Sequence, residues 1–277
     1  MKAMKFQLKA HQKVYIFLQY IRMKLKMLGY QRMIFFRSFL FNIQFYLGTS
    51  ILVTICLPCL LFPKNTVIFV NKIWCSIMTK GMKWWLNTEI KIIGKIPSKD
   101  RVVIYAIKHQ SAWETVFCTH LFSMPSIVLK KALIFLPVIG LYFLRSGAIP
   151  ITRDQGLNAL RKMGKNAKKA VKENRSMMIF PQGTRVNPGI SSKEKPYLPG
   201  VFFLYSQAKV PVVPVAHNAG LLWPKNSFLK YPNRLRSKSV TIQILPEISP
   251  GLSKQEFLTK LENIIETASN KLIKLEK

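Results

Sequence analysis

A long uncharged stretch near the N-terminus most limits how this chain folds. Residues 39–62 read FLFNIQFYLGTSILVTICLPCLLF and contain no charged side chain. A helix of this length crosses the hydrocarbon core of a bilayer, which needs about 20 apolar residues. The stretch begins too late and is too long for a cleavable signal peptide, and no small-residue cleavage site follows it. The sequence therefore predicts a membrane anchor, with Pro58 and Pro63 bending or breaking its helix near the end.

The charges around this stretch predict how the anchor is arranged. Basic residues precede it from Lys2 to Arg37, and the first acidic residue of the whole chain is Glu89. A second apolar segment, residues 67–86, carries lysines and ends in Trp84 and Trp85, which suits the headgroup region. Since basic flanks mark the cytoplasmic side, we expect a helical hairpin that enters the membrane from the cytoplasm, with both termini cytoplasmic. A single span with an external N-terminus is the alternative, which the basic arm disfavours.

The composition narrows the class of partner. The formal net charge of +32 indicates a polyanionic partner (nucleic acid, an anionic membrane surface or an acidic substrate) unless it reflects only a bias towards lysine. The apolar fraction of 49% argues against a purely soluble nucleic-acid binder, and neither zinc-finger spacing nor an aromatic RNA-binding motif occurs. Anionic membrane lipids are therefore expected partners and nucleic acid is not. Cys56 and Cys59 form C-x-x-C inside the apolar stretch, where packing is a better explanation than a metal or redox site.

The pattern changes at about residue 95, which predicts two domains: an anchoring domain, 1–95, and a second domain, 96–277. In the second, short apolar runs alternate with helical patterns, and the chain shows no internal repeat. A helix is predicted over 155–175, capped by Asp154, and another begins at Ser253, where Glu256 completes a capping box. This alternation predicts an α/β fold with a mostly parallel sheet and flanking helices. The predicted strands are RVVIYAI (101–107), SIVLK (126–130), AIPIT (148–152), MMIF (177–180), VVPVA (212–216) and VTIQIL (240–245). The residues predicted to share the buried face of the first helix are Leu157, Leu160, Met163, Ala167, Ala170 and Val171.

The segment KHQSAWETV, residues 108–116, follows a predicted strand, where α/β folds place ligands. Ser111 and Glu114 form S-x-x-E, which is typical of a helix start, so Glu114 is interpreted either as a cap or as a functional carboxylate. In the functional interpretation, Glu114 accepts a hydrogen bond from one ring nitrogen of His109 and leaves the other to take a proton. The nucleophile is then Ser111 or a hydroxyl of the substrate. His11, His120 and His217 have no partner in reach by sequence and are interpreted as surface or packing residues.

A second candidate site is IFPQGTR, residues 179–185, at the end of another predicted strand. Gly183 lets the backbone approach a ligand closely, and Thr184 offers a hydroxyl. Arg185 carries a planar guanidinium that suits a phosphate, and Arg153 follows a different strand in ITRD, residues 151–154. Two arginines at strand ends of one sheet favour an anion site, although each alone is also typical of a solvated surface charge.

Four segments in order give a resemblance to the glycerolipid acyltransferases. HQSAWE resembles their H-x4-D motif, GAIPITRD their second motif, FPQGTR their F-P-E-G-T-R and VPVVPVA (210–216) their fourth, proline-containing strand. Two letters depart from that pattern. Glu114 replaces the usual Asp, as in other membrane acyltransferases such as those that acylate lipid A, and Gln182 replaces a Glu beside the expected phosphate site. The Gln182 change places this residue in a possible acceptor pocket.

The resemblance implies a membrane-bound enzyme of phospholipid biosynthesis that makes phosphatidic acid. It implies transfer of a fatty acyl group from acyl-CoA or acyl-carrier protein to the sn-2 hydroxyl of lysophosphatidic acid, with His109 as base and Glu114 as its orienting carboxylate. It further implies that Arg153, Gly183, Thr184 and Arg185 bind the substrate phosphate, that Ser111 is only a cap, and that neither metal nor cofactor is needed. A bacterial inner membrane with the active site facing the cytoplasm is the expected location.

Other functions stay open on the sequence. The acceptor is alternatively another lyso-lipid or glycerol 3-phosphate. A protein of a different class, a basic membrane-surface protein that binds anionic lipid or nucleic acid without chemistry, explains the charge and the apolar stretch. It leaves the four ordered motifs as coincidence.

Overall fold

The structure, a computed structural model, describes residues 2–152 and 156–276. Its N-terminal part is the predicted helical hairpin, but the uncharged stretch is not one helix. It is divided among the end of α1 (Lys2–Ile43), a π-helical turn (Gln44–Gly48), α2 (Thr49–Ile55) and a 3-10 turn (Leu57–Leu61), before α3 (Lys64–Leu86) returns. The prolines act as predicted, because Pro58 lies in the 3-10 turn and Pro63 is the N-cap of α3.

The first arm of the hairpin is longer than the uncharged stretch. By length and composition, the continuous helical run Leu18–Ile55, which includes the end of α1, the π-helical turn and α2, is long and apolar enough to cross a membrane. Many of its apolar side chains are exposed, among them Leu18, Met23, Phe36 and Tyr46. The inner side of the arm is held by polar contacts with the sheet domain: the Lys230 N–H donates to Ser38 Oγ at 2.8 Å, and the Asn42 amide donates to the Phe228 carbonyl at 3.0 Å.

Seven strands form one sheet in the order β1-β7-β6-β2-β5-β3-β4. Neighbouring strands are parallel except β6 and β7, which are antiparallel, so the predicted mostly parallel sheet is confirmed. The strands are β1 (Glu89–Ile93), β2 (Ile104–Ile107), β3 (Ser126–Lys130), β4 (Ile149–Ile151), β5 (Met177–Ile179), β6 (Val212–His217) and β7 (Ser239–Ile244). Strand β1 was not predicted, because it is a mostly exposed edge strand without a run of buried residues. It precedes the predicted domain boundary at residue 95, and that boundary stays a prediction.

Helices cover both faces of the sheet. On one face α3 and α4 (Trp113–Leu121) pack in a cluster with Tyr105 and Val215, and on the other α6, α7 and α9 pack with Ile104 and Val212. The remaining elements are α5 (Ile139–Arg145), α6 (Gly156–Lys172), α7 (Gly200–Ala208), α8 (Ala219–Leu222), α9 (Lys254–Lys274) and 3-10 turns at Lys131–Phe135 and Pro232–Arg234. The predicted face of α6 is confirmed at its buried Met163, Ala167 and Ala170 and its partly buried Leu160 and Val171. Asp154 and the Leu157 side chain lie outside what the structure describes.

The predicted start of the C-terminal helix is confirmed. Ser253 is the N-cap of α9, and the reciprocal hydrogen bonds with Glu256 form the expected capping box.

The three parallel strands β6, β2 and β5 position the site. Because these three strands run in the same direction, the segments that follow Ile107, Ile179 and His217 leave the sheet at one edge.

Candidate active site

His109 and Glu114 form a hydrogen-bonded pair directly after β2. The imidazole Nδ1 lies 2.8 Å from Glu114 Oε1. An ionised carboxylate only accepts hydrogen bonds, so Nδ1 carries the proton and Nε2 is left unprotonated. The His109 side chain is 16% exposed and the Glu114 side chain is fully buried, so the imidazole stands between the buried carboxylate and the cleft described below. This is the predicted geometry of a base and its orienting carboxylate.

Glu114 is held by the backbone as well as by His109. Its Oε1 also accepts the N–H groups of Gln110 at 2.8 Å and Ser111 at 2.7 Å. Burial opposes ionisation of this carboxyl, but the hydrogen bonds from His109 and the Ser111 N–H outweigh that effect. The pKa of Glu114 therefore lies below its ordinary value. An ionised Glu114 can stabilise positive charge on His109.

The interpretations of Glu114 as a cap and as an orienting group are not alternatives. Helix α4 begins at Trp113 with Ala112 at the N-cap, so the predicted start at Ser111 was two residues early. Ser111 Oγ accepts the Trp113 N–H at 3.1 Å, while the Ser111 N–H donates to Glu114. One carboxylate oxygen thus fixes the backbone before the helix and the imidazole together, because it accepts two backbone N–H groups and the imidazole N–H.

His217, interpreted from the sequence as a surface or packing residue, lies beside this pair. It is fully buried at the end of β6, as a packing residue would be, with Nε2 3.9 Å from Glu114 Oε2. Nε2 is 2.6 Å from the Lys108 carbonyl, and Nδ1 accepts the Ala219 N–H at 3.2 Å. This pattern assigns the neutral tautomer with the proton on Nε2. Burial lowers the pKa of His217 and reinforces the neutral form.

Lys108 also ties the site to the C-terminal helix. Its buried ammonium pairs with Glu266 of α9, and the Tyr197 hydroxyl donates to the same carboxylate oxygen at 3.0 Å. Sequence reasoning missed both this pair and His217. Glu266 lies 158 positions from Lys108, so only the fold brings them together. The available signal for His217 was its place directly after a predicted strand.

The FPQGTR loop after β5 contacts the His109 loop. The Phe180 ring stacks on the His109 imidazole with centroids 3.9 Å apart and planes 16° apart. The Val186 N–H donates to the His109 carbonyl at 2.7 Å. Gly183 has φ of +65°, a conformation that favours glycine, and its N–H closes the turn on the Phe180 carbonyl at 2.8 Å. The two motifs therefore form one surface.

The polar side chains of the FPQGTR loop make fewer hydrogen bonds than Glu114 does. Gln182 is buried and its amide donates to the Lys195 carbonyl at 2.8 Å, while its Oε1 has no hydrogen-bond partner within the described residues. Thr184 and Arg185 are half-buried, and an Arg185 Nη2 atom lies 3.5 Å from Asn226 Oδ1. Arg153 lies outside the described residues. Phosphate binding by this loop and Arg153, and a place for Gln182 in the acceptor pocket, stay predictions.

An apolar cleft of about 490 Å³ opens beside His109. His109, Phe180 and Gly183 form one part of its wall, and β3, α6 and α7 supply most of the remainder. Its apolar lining includes Ile127, Leu129, Leu133, Phe143, Leu160, Met163, Leu198 and Val201. An imidazole base at one side of a long apolar cleft suits a reaction at the polar end of a lipid. Within residues 2–152 and 156–276, no group of three or more His, Cys, Asp or Glu side chains is placed to hold a metal ion.

Comparison with known proteins shows which family the central part of the chain resembles. Residues 88–218, which include β1 to β6 and both motif loops, match the model of the Acyltransferase family. The match confirms the resemblance that the four ordered motifs gave.

Named relatives share this part of the chain. The 1-acyl-sn-glycerol-3-phosphate acyltransferase of Pseudomonas aeruginosa is 35% identical over 164 residues, covering 59% of this chain and 60% of the relative. The Saccharomyces cerevisiae protein of the same name is 27% identical over 147 residues, covering 52% and 48%. The matches thus span about half to three fifths of these relatives.

One solved structure has the same fold. The crystal structure of the 1-acyl-sn-glycerophosphate (LPA) acyltransferase from Thermotoga maritima superposes with a TM-score of 0.64 at 19% identity. It covers 86% of this chain and 97% of the other, so the likeness extends well beyond residues 88–218. This shared fold confirms the α/β architecture with its N-terminal apolar helix.

Proposed function

We propose that this protein transfers a fatty acyl group from a thioester donor to the sn-2 hydroxyl of 1-acyl-sn-glycerol 3-phosphate, giving phosphatidic acid. The observation that carries the proposal is the His109–Glu114 pair, joined at 2.8 Å beside an apolar cleft. The relatives named as 1-acyl-sn-glycerol-3-phosphate acyltransferases support this choice of acceptor. A non-catalytic lipid-binding protein would not need a buried, ionised carboxylate that fixes one tautomer of an imidazole.

The chemistry follows from the unprotonated Nε2 of His109. This nitrogen takes the proton of the acceptor hydroxyl as the hydroxyl oxygen attacks the thioester carbonyl. The carbon–sulfur bond then breaks, and the imidazolium returns its proton to the departing thiolate, so the products are an ester and a thiol. Glu114 stabilises the imidazolium through its hydrogen bond to Nδ1. No acyl-enzyme forms, and Ser111 suits the role of a cap because it is fully buried and accepts the Trp113 N–H.

The FPQGTR loop and the apolar cleft suit the two ends of a lipid. We assign the acceptor phosphate to Arg185 and Arg153, with the Gly183 backbone and the Thr184 hydroxyl shaping the pocket. A guanidinium matches a phosphate with two parallel hydrogen bonds. Among the described residues, Arg185 has a single weak contact, 3.5 Å to Asn226 Oδ1. The apolar wall of the cleft suits an acyl chain. The donor is acyl-CoA or acyl-carrier protein, and neither a metal nor a further cofactor enters the reaction.

The N-terminal part suits a membrane setting. The apolar helix is consistent with membrane association, and we place the protein at a bacterial inner membrane with the site facing the cytoplasm. Both termini are then cytoplasmic, because both flanks of the hairpin are basic. The positive charge of the chain suits an anionic lipid surface. In this arrangement residues 1–95 anchor the catalytic domain, 96–277.

The test supplies membranes that contain the protein with labelled acyl-CoA or acyl-carrier protein and one acceptor at a time. Lysophosphatidic acid is expected to give labelled phosphatidic acid, whereas glycerol 3-phosphate and other lyso-lipids are expected to react poorly. Membranes with the His109→Ala variant at equal expression are the control. Product that forms equally well in that variant contradicts the proposal, and preference for another acceptor replaces lysophosphatidic acid as the substrate.

A further inference from the structure

A second apolar surface lies far from the N-terminal helices in sequence. Residues 131–145, here called the cleft-mouth segment, comprise the 3-10 turn Lys131–Phe135 and helix α5, Ile139–Arg145. Phe135 is 73% exposed, and its apolar neighbours Leu133, Leu136, Leu141 and Leu144 are each exposed over more than a third of their surface. A cluster of this kind is costly to leave in water and marks an interaction surface.

The segment borders the cleft. Leu133 and Phe143 are part of the cleft wall, and Leu133 is itself exposed. The wall therefore reaches the molecular surface within this segment. Phe135 and Leu141 stand on the segment outside the cleft and do not line it. Whatever covers Phe135 lies next to the entrance through which an apolar chain reaches His109.

The segment is also continuous with the hairpin. Arg145 donates to the Phe62 carbonyl at 2.6 Å, and the Tyr142 hydroxyl donates to the Val53 carbonyl at 3.2 Å. Tyr142 packs in one apolar cluster with the turn between α2 and α3. The exposed Leu61 and Phe62 of that turn therefore belong to the same side of the molecule as the cleft-mouth segment.

The charges around this surface indicate what it contacts. Between Glu114 and Asp154 the chain contains no acidic residue, while Lys130, Lys131 and Arg145 border the apolar side chains. Exposed aromatic and leucine side chains with a basic border are typical of segments that lie in the headgroup region of an anionic bilayer. The same combination on the hairpin extends this character across one side of the protein.

We propose that the cleft-mouth segment inserts its apolar side chains into an anionic bilayer beside the hairpin, so that the cleft opens directly into the lipid. An acyl chain then passes between bilayer and cleft without crossing water. The lipid as substrate rests on the proposed function, whereas insertion of the segment does not. The occupant is a lipid surface, and a second copy of the chain is the competing outcome of the test.

The test places a photoreactive benzophenone amino acid at Phe135 in the full-length protein bound to vesicles of phosphatidylethanolamine and phosphatidylglycerol that carry a labelled lipid. The control places it at Gln255, an exposed residue at the start of α9. Helix α9 follows the bridge between Ile248 and Val212, the first residue of β6. Gln255 is therefore near the end of the strands opposite the site. We expect labelled lipid on position 135 and several-fold less on 255. Equal labelling, no labelling at 135, or adducts only with a second copy of the chain overturn the proposal.

A kinetic comparison separates this proposal from the proposed function. Phe135→Asp is expected to lower the rate with lysophosphatidic acid in vesicles on the order of tenfold, because a carboxylate resists insertion. The rate with a monomeric short-chain analogue should change less than about twofold, since Phe135 does not line the cleft. Phe135→Leu, which stays apolar, should match the unmodified protein. Equal losses with both acceptors overturn the insertion, whereas an enzyme inactive on every acceptor that still labels lipid at 135 overturns only the function.

Discussion

The loops after β2 and β5 meet at one cleft, yet they hold their polar groups in opposite ways. In the β2 loop, Glu114 Oε1 accepts three hydrogen bonds, from His109, Gln110 and Ser111. In the β5 loop, Arg185 has a 3.5 Å contact with Asn226, and a buried oxygen of Gln182 has no partner among the described residues. Glu114, which is proposed to orient the base, is thus held by three donors, whereas Arg185, which is proposed to bind the phosphate, has one weak contact among the described residues.

A physical reason underlies this difference. A fully buried carboxylate is costly without compensating hydrogen bonds, so Glu114 needs its donors at all times. A half-buried guanidinium is hydrated until it binds an anion, and a strong protein partner would compete with the phosphate. Rigidity is therefore expected where the chemistry occurs, and spare hydrogen-bonding capacity where the substrate binds.

Glu114→Gln is expected to have the largest effect on the rate, because it removes the carboxylate that orients His109. Glutamine cannot stabilise the imidazolium, and its amide can hold the other tautomer, so the rate should fall by about 10²–10⁴. Glu114→Asp should retain partial activity, and the melting temperature should change little in either variant. Initial rates and melting temperatures in one detergent test this, with His109→Ala as the reference for complete loss. A fully active Glu114→Gln enzyme would leave Glu114 as a helix cap alone.

Arg185→Lys changes the β5 loop and should weaken the binding of one substrate only, the acceptor. Lysine keeps the charge but loses the two parallel hydrogen bonds, worth roughly 1.5–3 kcal/mol each when charged, so the KM for the acceptor should rise about ten- to a hundredfold. The KM for the acyl donor should stay unchanged. Steady-state kinetics with each substrate varied in turn provide the measurement, with the exposed Arg236→Lys as a matched control. Equal increases for both substrates would remove Arg185 from a phosphate-specific role.

Gln182→Glu tests whether the stability of the β5 loop depends on the buried amide of Gln182. A carboxylate cannot donate to the Lys195 carbonyl, so a buried acceptor is left facing another acceptor. The free energy of unfolding should fall by about 1–3 kcal/mol at neutral pH. Denaturant unfolding of the two proteins measures the difference, with Gln182→Met as the uncharged control. An unchanged or higher stability would mean that this loop accommodates the Glu of the related motif without the amide.

Lys230 tests a buried charge outside the two loops, and its expected effect per pH unit is the smallest. Its ammonium donates to Asn42 Oδ1 and the Phe228 carbonyl, and burial lowers its pKa to about 8. Above pH 8 the folded protein releases this proton while the unfolded chain retains it to about pH 10.4, so stability should rise with pH in this window. The gain relative to Lys230→Met should be about 1.4 kcal/mol per pH unit at most. Parallel unfolding curves for the two proteins between pH 8 and 10 would contradict it.

Much of the fold was readable from the sequence, because its elements carry local patterns. The six predicted strands, the face of α6 and the Ser253 capping box depend on residues close to one another in the chain. The same is true of the His109–Glu114 contact, which spans one loop and one helical turn. Strand β1 escaped prediction because an exposed edge strand such as EIKII lacks a buried run.

The rest of the site depends on the order of strands, which local patterns do not contain. His217 reaches Glu114 only because β6 lies next to β2 in the sheet. Lys108 meets Glu266 only because α9 packs across the same strands. The cap and orienting interpretations of Glu114 could not be separated either, since one oxygen serves both.

The tautomers of the two histidines beside Glu114 decide whether His109 is placed to act as the base. We expect His109 to carry its proton on Nδ1, bonded to Glu114, and His217 to carry its proton on Nε2, bonded to the Lys108 carbonyl. Nitrogen-15 NMR of the ring nitrogens, with each histidine assigned through its substitution by glutamine, distinguishes protonated from unprotonated positions. Opposite tautomers, with an unprotonated Nε2 on His109 at neutral pH, are the predicted result. A proton on His109 Nε2 and none on Nδ1 would contradict the assignment of His109 as the base that Glu114 orients.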